Sequence, residues 1–163
     1  LRRQFTQFLT LYSAESGQLH ALCEDESPSD LLNYLQQVWQ LKANAEGRPV
    51  EFRIEADPLA PPFWYFDRRL VQLALDAALH NALRFATRAV RLSVVEEAGW
   101  LVWRIRDDGA GLSAADPGAT HATGLGTALS RAVAEAHRSG ERQGQVSLTP
   151  DAAGGAAFTL RLP

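Results

Sequence analysis

Residues 89–111 read AVRLSVVEEAGWLVWRIRDDGAG. Two apolar runs, Ala89 to Val95 and Trp100 to Asp107, flank Glu97-Ala98-Gly99, and this spacing predicts two strands joined as a hairpin. The second strand ends on Asp107, followed by Asp108, Gly109, Ala110 and Gly111. A carboxylate at a strand end with glycines two and four residues later suits a ligand pressed against the backbone. A plain turn is the competing reading, because Asp-Gly pairs make turns routinely.

Upstream of the hairpin, Asp67 caps a helix expected over Arg68 to Thr87, whose sides are nearly all Leu and Ala, so most of its surface should be buried. His80, Asn81 and Arg84 interrupt that apolar surface, and Ala77, Asn81 and Arg84 share one face at i, i+4 and i+7. A polar amide and a guanidinium among Leu and Ala need partners, since unpaired burial costs about 1–3 kcal/mol. Either Asn81 satisfies a backbone group while Arg84 reaches solvent, or the pair faces a ligand. Earlier still, Val50 to Ile54 alternates like a strand and Phe63 to Phe66 is a short aromatic run. Ser29 to Ala45 reads as a helix, with Leu31, Leu32, Leu35, Val38, Trp39 and Leu41 on its apolar side and Ser27 or Ser29 as its cap. Leu1, Phe5, Phe8, Tyr12, Glu15, Leu19 and Leu22 form a heptad-like seam, expected as an N-terminal helix, and Glu24 to Ser29 as a linker.

Downstream, a Gly/Ala/Pro-rich loop is expected from Asp108 to Thr123, then a helix from Gly124 to His137, then a pair of strands, Gln145 to Leu148 and Ala156 to Leu162. Thr123-Gly124-Leu125-Gly126-Thr127 would open that helix, where backbone N–H groups and the helix dipole favour phosphate. A dinucleotide fingerprint is the rival, but Leu129 stands where its third glycine belongs. Mixed helices and strands with a hairpin-rich sheet give an α+β two-layer sandwich rather than a doubly wound nucleotide fold.

Composition narrows the chemistry. The chain has 163 residues and a net charge of -3, with no basic footprint for nucleic acid. The lone Cys23 precludes an internal disulfide and fits a reducing cytoplasm, and no apolar run approaches the ~20 residues of a membrane helix. Met is absent even at position 1, so an excised fragment or processed product is expected. Lys42, the only lysine, has no glycine-rich loop before it, so no Walker A loop or protein-kinase lysine exists. Any phosphate must be held by Arg, backbone N–H groups, helix ends or a metal. At the strand end, Asp107 could accept a hydrogen bond from an adenine exocyclic amine, and would repel the acceptor oxygen of guanine.

The order and spacing of the three clusters say more than any one of them. Asn81 in a helix, a hairpin ending at Asp107-x-Gly109-x-Gly111, a loop, then Gly124-x-Gly126 before a helix resembles the ATP-binding domain of sensor histidine kinases, in the superfamily of gyrase, Hsp90 and MutL. His80 to Ala86 looks like the N box, Asp107 to Gly111 the G1 box and Gly124 to Leu129 the G2 box. Ala134 to His137 and Ala156 to Pro163 resemble the end of that domain, and Tyr12 to Leu19 the close of a dimerisation helix.

The resemblance implies a Bergerat-type ATP-binding fold: a mixed sheet covered on one face by about three helices, plus the N-terminal helix. Residues 1–26 would be the end of the dimerisation helix and linker, and residues 27–163 the ATP-binding domain. It implies ATP and Mg²⁺ as ligands, with Asn81 the metal ligand, Arg84 on a phosphate and Phe85 a pocket wall. Asp107 would read adenine, Gly109 and Gly111 would shape the pocket and lid hinge, and Gly124, Leu125, Gly126 and Thr127 would lie along the phosphates. Asp108 is expected to face solvent. No residue of the chain is expected to act as a catalytic group. Implied partners are a dimerisation and phosphoacceptor domain of the same protein, a response regulator and a second copy in the full-length homodimer. Nucleic acid and membrane contact by this chain are not expected, and the location implied is cytoplasmic, with the cytoplasmic part of a membrane-bound sensor as one form of it.

Three departures bear on activity. Ala77 occupies a position where the family usually has a second Asn and hydrolysing relatives a catalytic Glu, and alanine cannot activate water. Residues 112–123 contain no Lys or Arg, leaving His121 as the candidate for a γ-phosphate. After His137, residues 138–144 replace the usual paired glycines. His20 lacks the acidic neighbour and proline of a phosphoacceptor, so the chain is expected to bind ATP without a histidine of its own to phosphorylate. Two other readings stand beside a histidine kinase: a degenerate regulatory module, favoured by Ala77 and by a short lid without Lys or Arg, and an anti-sigma-type serine kinase, disfavoured by the bundle-like first helix.

Overall fold

The computed structural model describes residues 19–109 and 117–163, with residues 117–126 by backbone alone. Residues 1–18 of the expected N-terminal helix, and Gly111, lie outside the described residues; Leu19 and Leu22, expected on that helix, lie in a stretch without helix, where the Leu22 N–H donates to Asp67 instead of to a helical carbonyl. In chain order the elements are β1 (Glu24–Glu26), α1 (Pro28–Ala45), β2 (Glu51–Ile54), β3 (Trp64–Phe66), α2 (Arg68–Phe85), β4 (Ala89–Glu97) and β5 (Trp100–Asp107), followed by α3 (Pro117–Ala136), β6 (Arg138–Ser139), β7 (Arg142–Gln143), β8 (Gln145–Pro150) and β9 (Ala156–Leu162).

The main sheet has the order β2-β4-β5-β9-β8; β2 runs parallel to β4 and the other neighbours are antiparallel. It is mixed, and the helices pack against one face, as the α+β sandwich requires. The β4–β5 turn has Ala98 at φ 52° and Gly99 at φ 83°. Positive φ at both central residues is the two-residue turn whose twist matches antiparallel strands.

Helix α1 begins where its cap lies, with Ser27 Oγ accepting the Asp30 N–H at 3.2 Å and Pro28 in the first turn. Leu31, Leu32, Leu35, Trp39 and Ala43 face the core. Val38 and Leu41, expected on the same side, point outward, and Leu41 is 68% exposed. At about 100° per residue, Leu41 sits roughly 150° from the mean direction of the buried positions. Apolar character alone misassigned it.

The stretch expected as a linker contains β1, which pairs with β3: Asp25 lies opposite Tyr65. Glu-Asp-Glu is poor strand sequence, and the aromatic partner strand overrides that preference. The chain is fastened again at Asp67, the cap of α2, which is 3% exposed. Its carboxylate accepts the Leu70 N–H at 3.0 Å and the Leu22 N–H at 2.8 Å.

Helix α3 starts at Pro117, seven residues before Gly124, so part of the expected loop is helical. Proline at the first helical position is preorganised for it, and Ala119 and Ala122 favour continuation. The end of α3 meets the start of α2, where His137, 3% exposed, accepts the Asp67 N–H on Nε2 at 3.0 Å. Its Nδ1 is 2.8 Å from the Val133 carbonyl. The proton therefore sits on Nδ1 and the ring is neutral. Residues 138–144, unassigned by sequence, form the β6–β7 hairpin, which ties α3 to the main sheet. The Gly144 N–H donates to the His137 carbonyl at 2.9 Å, while Arg142 stacks 4.1 Å from the Trp100 ring and donates to the Gly99 carbonyl at 3.1 Å.

Burial lowers the pKa of His137, against the opposing pull of the Val133 carbonyl and Asp67. A depressed histidine pKa means that the folded protein resists a proton the unfolded chain accepts. The neutral-ring contribution is therefore complete above the unfolded pKa of about 6.5 and is lost as pH falls below it toward the folded value. Thermal unfolding monitored from pH 7.5 to 5 should show falling stability, with at most about 1.4 kcal/mol per pH unit from this one group. In His137→Gln the decline should be shallower; equal slopes would contradict the assignment.

Candidate nucleotide site

Strand β5 alternates Leu101, Trp103, Ile105 and Asp107 toward the helices, so its last inward position carries a charge. Asp107 is 7% exposed. Its Oδ1 accepts the Gly109 N–H at 2.9 Å, and the carboxylate also accepts the Ala156 N–H. Burial raises its pKa against these two donors, and the charges of Asp108 and Asp151 push the same way. A carboxylate kept in so costly a place, with acceptor capacity left over, is suited to a ligand donor.

Two glycines make room for it. A Cβ on Gly109 would lie 2.3 Å from the Phe85 carbonyl oxygen. A Cβ on Gly155 would lie 2.0 Å from the Asp107 carbonyl oxygen and 3.0 Å from its Oδ1. Gly155 also has φ 85°, a region that L side chains avoid. Sequence reading singled out Gly109 and missed Gly155 and Ala156. Glycine in a hairpin reads as turn chemistry alone until the β5–β9 register, with Arg106 opposite Ala157, places it against Asp107.

Asp108, expected in solvent, is engaged with the α2–β4 turn. Its carboxylate accepts the N–H groups of Thr87 at 2.8 Å, Arg88 at 3.0–3.1 Å and Ala89 at 3.0 Å. Thr87 Oγ1 returns a bond to the Asp108 carbonyl at 3.2 Å. Burial alone would raise its pKa; the Arg88, Thr87 and Ala89 donors outweigh it and the net shift is downward. The signal was strand alternation, which turns Asp108 away from the inward side that Asp107 occupies.

The C-terminal half of α2 supplies the rest. Ala77, 7% exposed, packs in a cluster with Leu70, Ala74, Leu129 and Val133, so α3 covers this side of the helix. Asp76, one step around, accepts the Trp39 indole N–H at 2.9 Å. Asn81, one turn beyond Ala77, is half-buried. Arg84 is exposed, with its guanidinium 5.6 Å from the half-buried Phe85 ring. Arg48 Nη2 caps the helix by donating to the Leu83 and Ala86 carbonyls at 2.8 and 3.1 Å, a contact that sequence did not signal.

Gly124 and Gly126 lie inside α3, not at its start, because the helix begins at Pro117. The expected anion site at a helix end is therefore not formed at these glycines. Thr127 is exposed. His121 and Leu125 fall where only the backbone is described.

Among the described residues no group of three or more His, Cys, Asp or Glu could hold a metal. A Zn²⁺ or Ca²⁺ cage is thus absent there, whereas Mg²⁺, which takes few protein ligands and keeps phosphate and water oxygens, is compatible with the Asn81 amide oxygen.

A family model described as Histidine kinase-, DNA gyrase B-, and HSP90-like ATPase matches residues 66–163. The structure is similar to the Acinetobacter baumannii histidine kinase AdeS, at 20% identity and TM-score 0.73, over 97% of this chain and 75% of that one. It is similar to the cytoplasmic segment of histidine kinase QseC, at 16% identity and TM-score 0.69, over 99% and 94%. Full-length ShkA in complex with AMPPNP matches at 18% identity and TM-score 0.74, over 96% of this chain and 34% of that one. These likenesses establish the shared fold. No curated protein matches the sequence.

The raised Asp107 pKa means that ionisation costs stability at neutral pH. Protonation stabilises below the unfolded value of about 3.9, and that contribution is lost as pH rises through the folded value. Asp107→Asn keeps an acceptor without the charge and should melt at or above the wild type, by about 2–4 °C per kcal/mol gained. Gly155→Ala should lose about 2–4 kcal/mol from backbone strain and overpacking. Calorimetry of both variants checks the pair; a destabilised Asn variant would contradict the burial argument.

Proposed function

The chain belongs to the family of histidine kinase-, DNA gyrase B- and HSP90-like ATPases, and from that premise we propose that it binds Mg-ATP and donates the γ-phosphoryl group to a histidine on a dimerisation domain of the same full-length sensor protein, for two-component signalling. The observation that carries the reading is the buried Asp107 carboxylate, held by Gly109 and Ala156 N–H groups between two glycine backbones. Its remaining lone pairs suit the amine edge of adenine and disfavour guanine.

In this reading Phe85 forms a wall of the pocket, Arg84 reaches a phosphate and Asn81 holds Mg²⁺ through its side-chain oxygen. The ion would neutralise phosphate charge. Gly109 and Gly111 shape the pocket and lid hinge. For Gly124, Leu125, Gly126 and Thr127 to lie along the phosphates, the first turns of α3 must open. Gly118, Gly124 and Gly126 make those turns the weakest part of the helix, at about 1 kcal/mol each relative to alanine.

Phosphoryl transfer needs positioning and charge neutralisation more than a protein base. Ala77, sealed under Leu129 and Val133, offers no group to activate water. A bound ATP is thereby preserved for an acceptor imidazole, whose nitrogen attacks phosphorus as ADP leaves. Residues 1–26 would be the end of the dimerisation helix and the linker, and residues 27–163 the ATP-binding domain, with the last three residues of the linker fastened to that domain by the pairing of β1 with β3. A response regulator would take the phosphoryl group from the histidine of the homodimer in the cytoplasm. No helix among the described residues is long and apolar enough to cross a membrane.

The second reading, a regulatory module that binds ATP or a protein without transferring phosphate, is favoured by the same Ala77 and by residues 112–123, which lack Lys and Arg. Incubating the full-length protein with γ-labelled ATP separates the two. Acid-labile, base-stable label on a histidine upstream of this chain is the expected result, and its loss in Asn81→Ala would support the metal assignment. ATP binding with no label on the protein would select the regulatory module.

A further inference from the structure

The β4–β5 ladder ends at Val90 opposite Asp107, so no further rung holds residues 108 and 109. Yet this is where the pocket must be most exact in placement, because Gly109 both donates to Asp107 and abuts the Phe85 carbonyl. One side chain replaces the missing rungs. Three consecutive N–H groups, those of Thr87, Arg88 and Ala89, converge on the two oxygens of Asp108, and Thr87 Oγ1 bonds back to its carbonyl.

We infer that Asp108 is a positioning residue for nucleobase recognition: by pinning the end of β5 to the turn that leaves α2, it sets where Asp107 presents its carboxylate to the base. The inference rests on the adenine reading proposed for Asp107. The pin acts between two parts of the site. Thr87 to Ala89 come directly after the helix that carries Asn81, Arg84 and Phe85, whereas Asp107 and Gly109 flank Asp108 in the chain. Asp108 therefore fixes the spacing between the phosphate end and the base end of the pocket while touching neither ligand group. Removing its carboxylate leaves three adjacent N–H groups to water and frees Gly109 to withdraw from Phe85, which moves the Asp107 acceptor out of place.

A purely structural role would weaken every nucleotide alike; a positioning role weakens the discrimination that Asp107 performs. The test is calorimetric titration of the intact chain with non-hydrolysable ATP plus Mg²⁺, and with the matching purine riboside triphosphate analogue, which lacks the exocyclic amine. The wild type should prefer the adenine nucleotide by about tenfold or more, as expected where a buried acceptor would be left unpaired. In Asp108→Ala that ratio should fall to within about threefold, with faster amide exchange at Thr87, Arg88 and Ala89. Asp108→Asn keeps one acceptor oxygen and should give a ratio between those of the wild type and the alanine variant; should the alanine variant fail to fold, a ratio in the asparagine variant reduced about twofold or more still supports the inference, and a smaller reduction counts as unchanged. An unchanged ratio in a folded Asp108 variant overturns this inference alone. A wild type that does not distinguish the two nucleotides overturns the adenine reading along with it.

Discussion

A charge buried at the end of an apolar strand governs the architecture of this site. Asp107 continues the inward row of Leu101, Trp103 and Ile105, and in an ordinary sandwich that position would be aliphatic. Desolvating a carboxylate is costly unless backbone donors surround it, and donors reach it only where the chain can come very close. Hence the two glycine contacts, with Phe85 behind Gly109 and Asp107 itself behind Gly155, and the N–H groups of Gly109 and Ala156 turned toward the carboxylate. The end of β5, the end of α2 and the β8–β9 turn are brought together by that single requirement.

The opposite end of the domain is organised around a second buried polar pair with a different task. Asp67 caps α2 and receives the Leu22 N–H, while its own N–H binds the neutral His137 at the end of α3. The entering chain and both helices that flank the proposed nucleotide site are thereby tied at one point. Arg142 adds a further tie from the inserted hairpin to the β4–β5 turn. The helix carrying Asn81 and Arg84 is held at its start by Asp67 and at its end by Arg48, which leaves its C-terminal half a rigid platform.

Much of this was legible in sequence, for identifiable reasons. The apolar runs of β4 and β5, the hairpin joined at Glu97-Ala98-Gly99 and the Asp67 cap are local signals and survive folding, while the turn itself tightens to Ala98-Gly99 because Glu97 pairs with Trp100. Asn81 and Asp107 stood out because each violates the apolar pattern around it. What was not legible depended on long-range pairing. Glu24-Asp25-Glu26 becomes a strand because Trp64-Tyr65-Phe66 lies beside it, and Gly155 becomes a pocket residue because β9 pairs with β5. Asp108 could have been separated from Asp107 by strand alternation, and Leu41 from the α1 core by its angular position. The start of α3 at Pro117 shows the limit of reading a glycine pair as a helix end.

The most direct test of adenine recognition by Asp107 is titration of the chain with a non-hydrolysable ATP analogue and Mg²⁺, alongside the GTP analogue and Asp107→Asn. Micromolar-to-millimolar binding of the adenine nucleotide, absent for guanine and lost in a variant that remains fully folded, is the expected outcome. No binding up to several millimolar, or binding that survives Asp107→Asn, would show that the buried carboxylate serves something other than adenine.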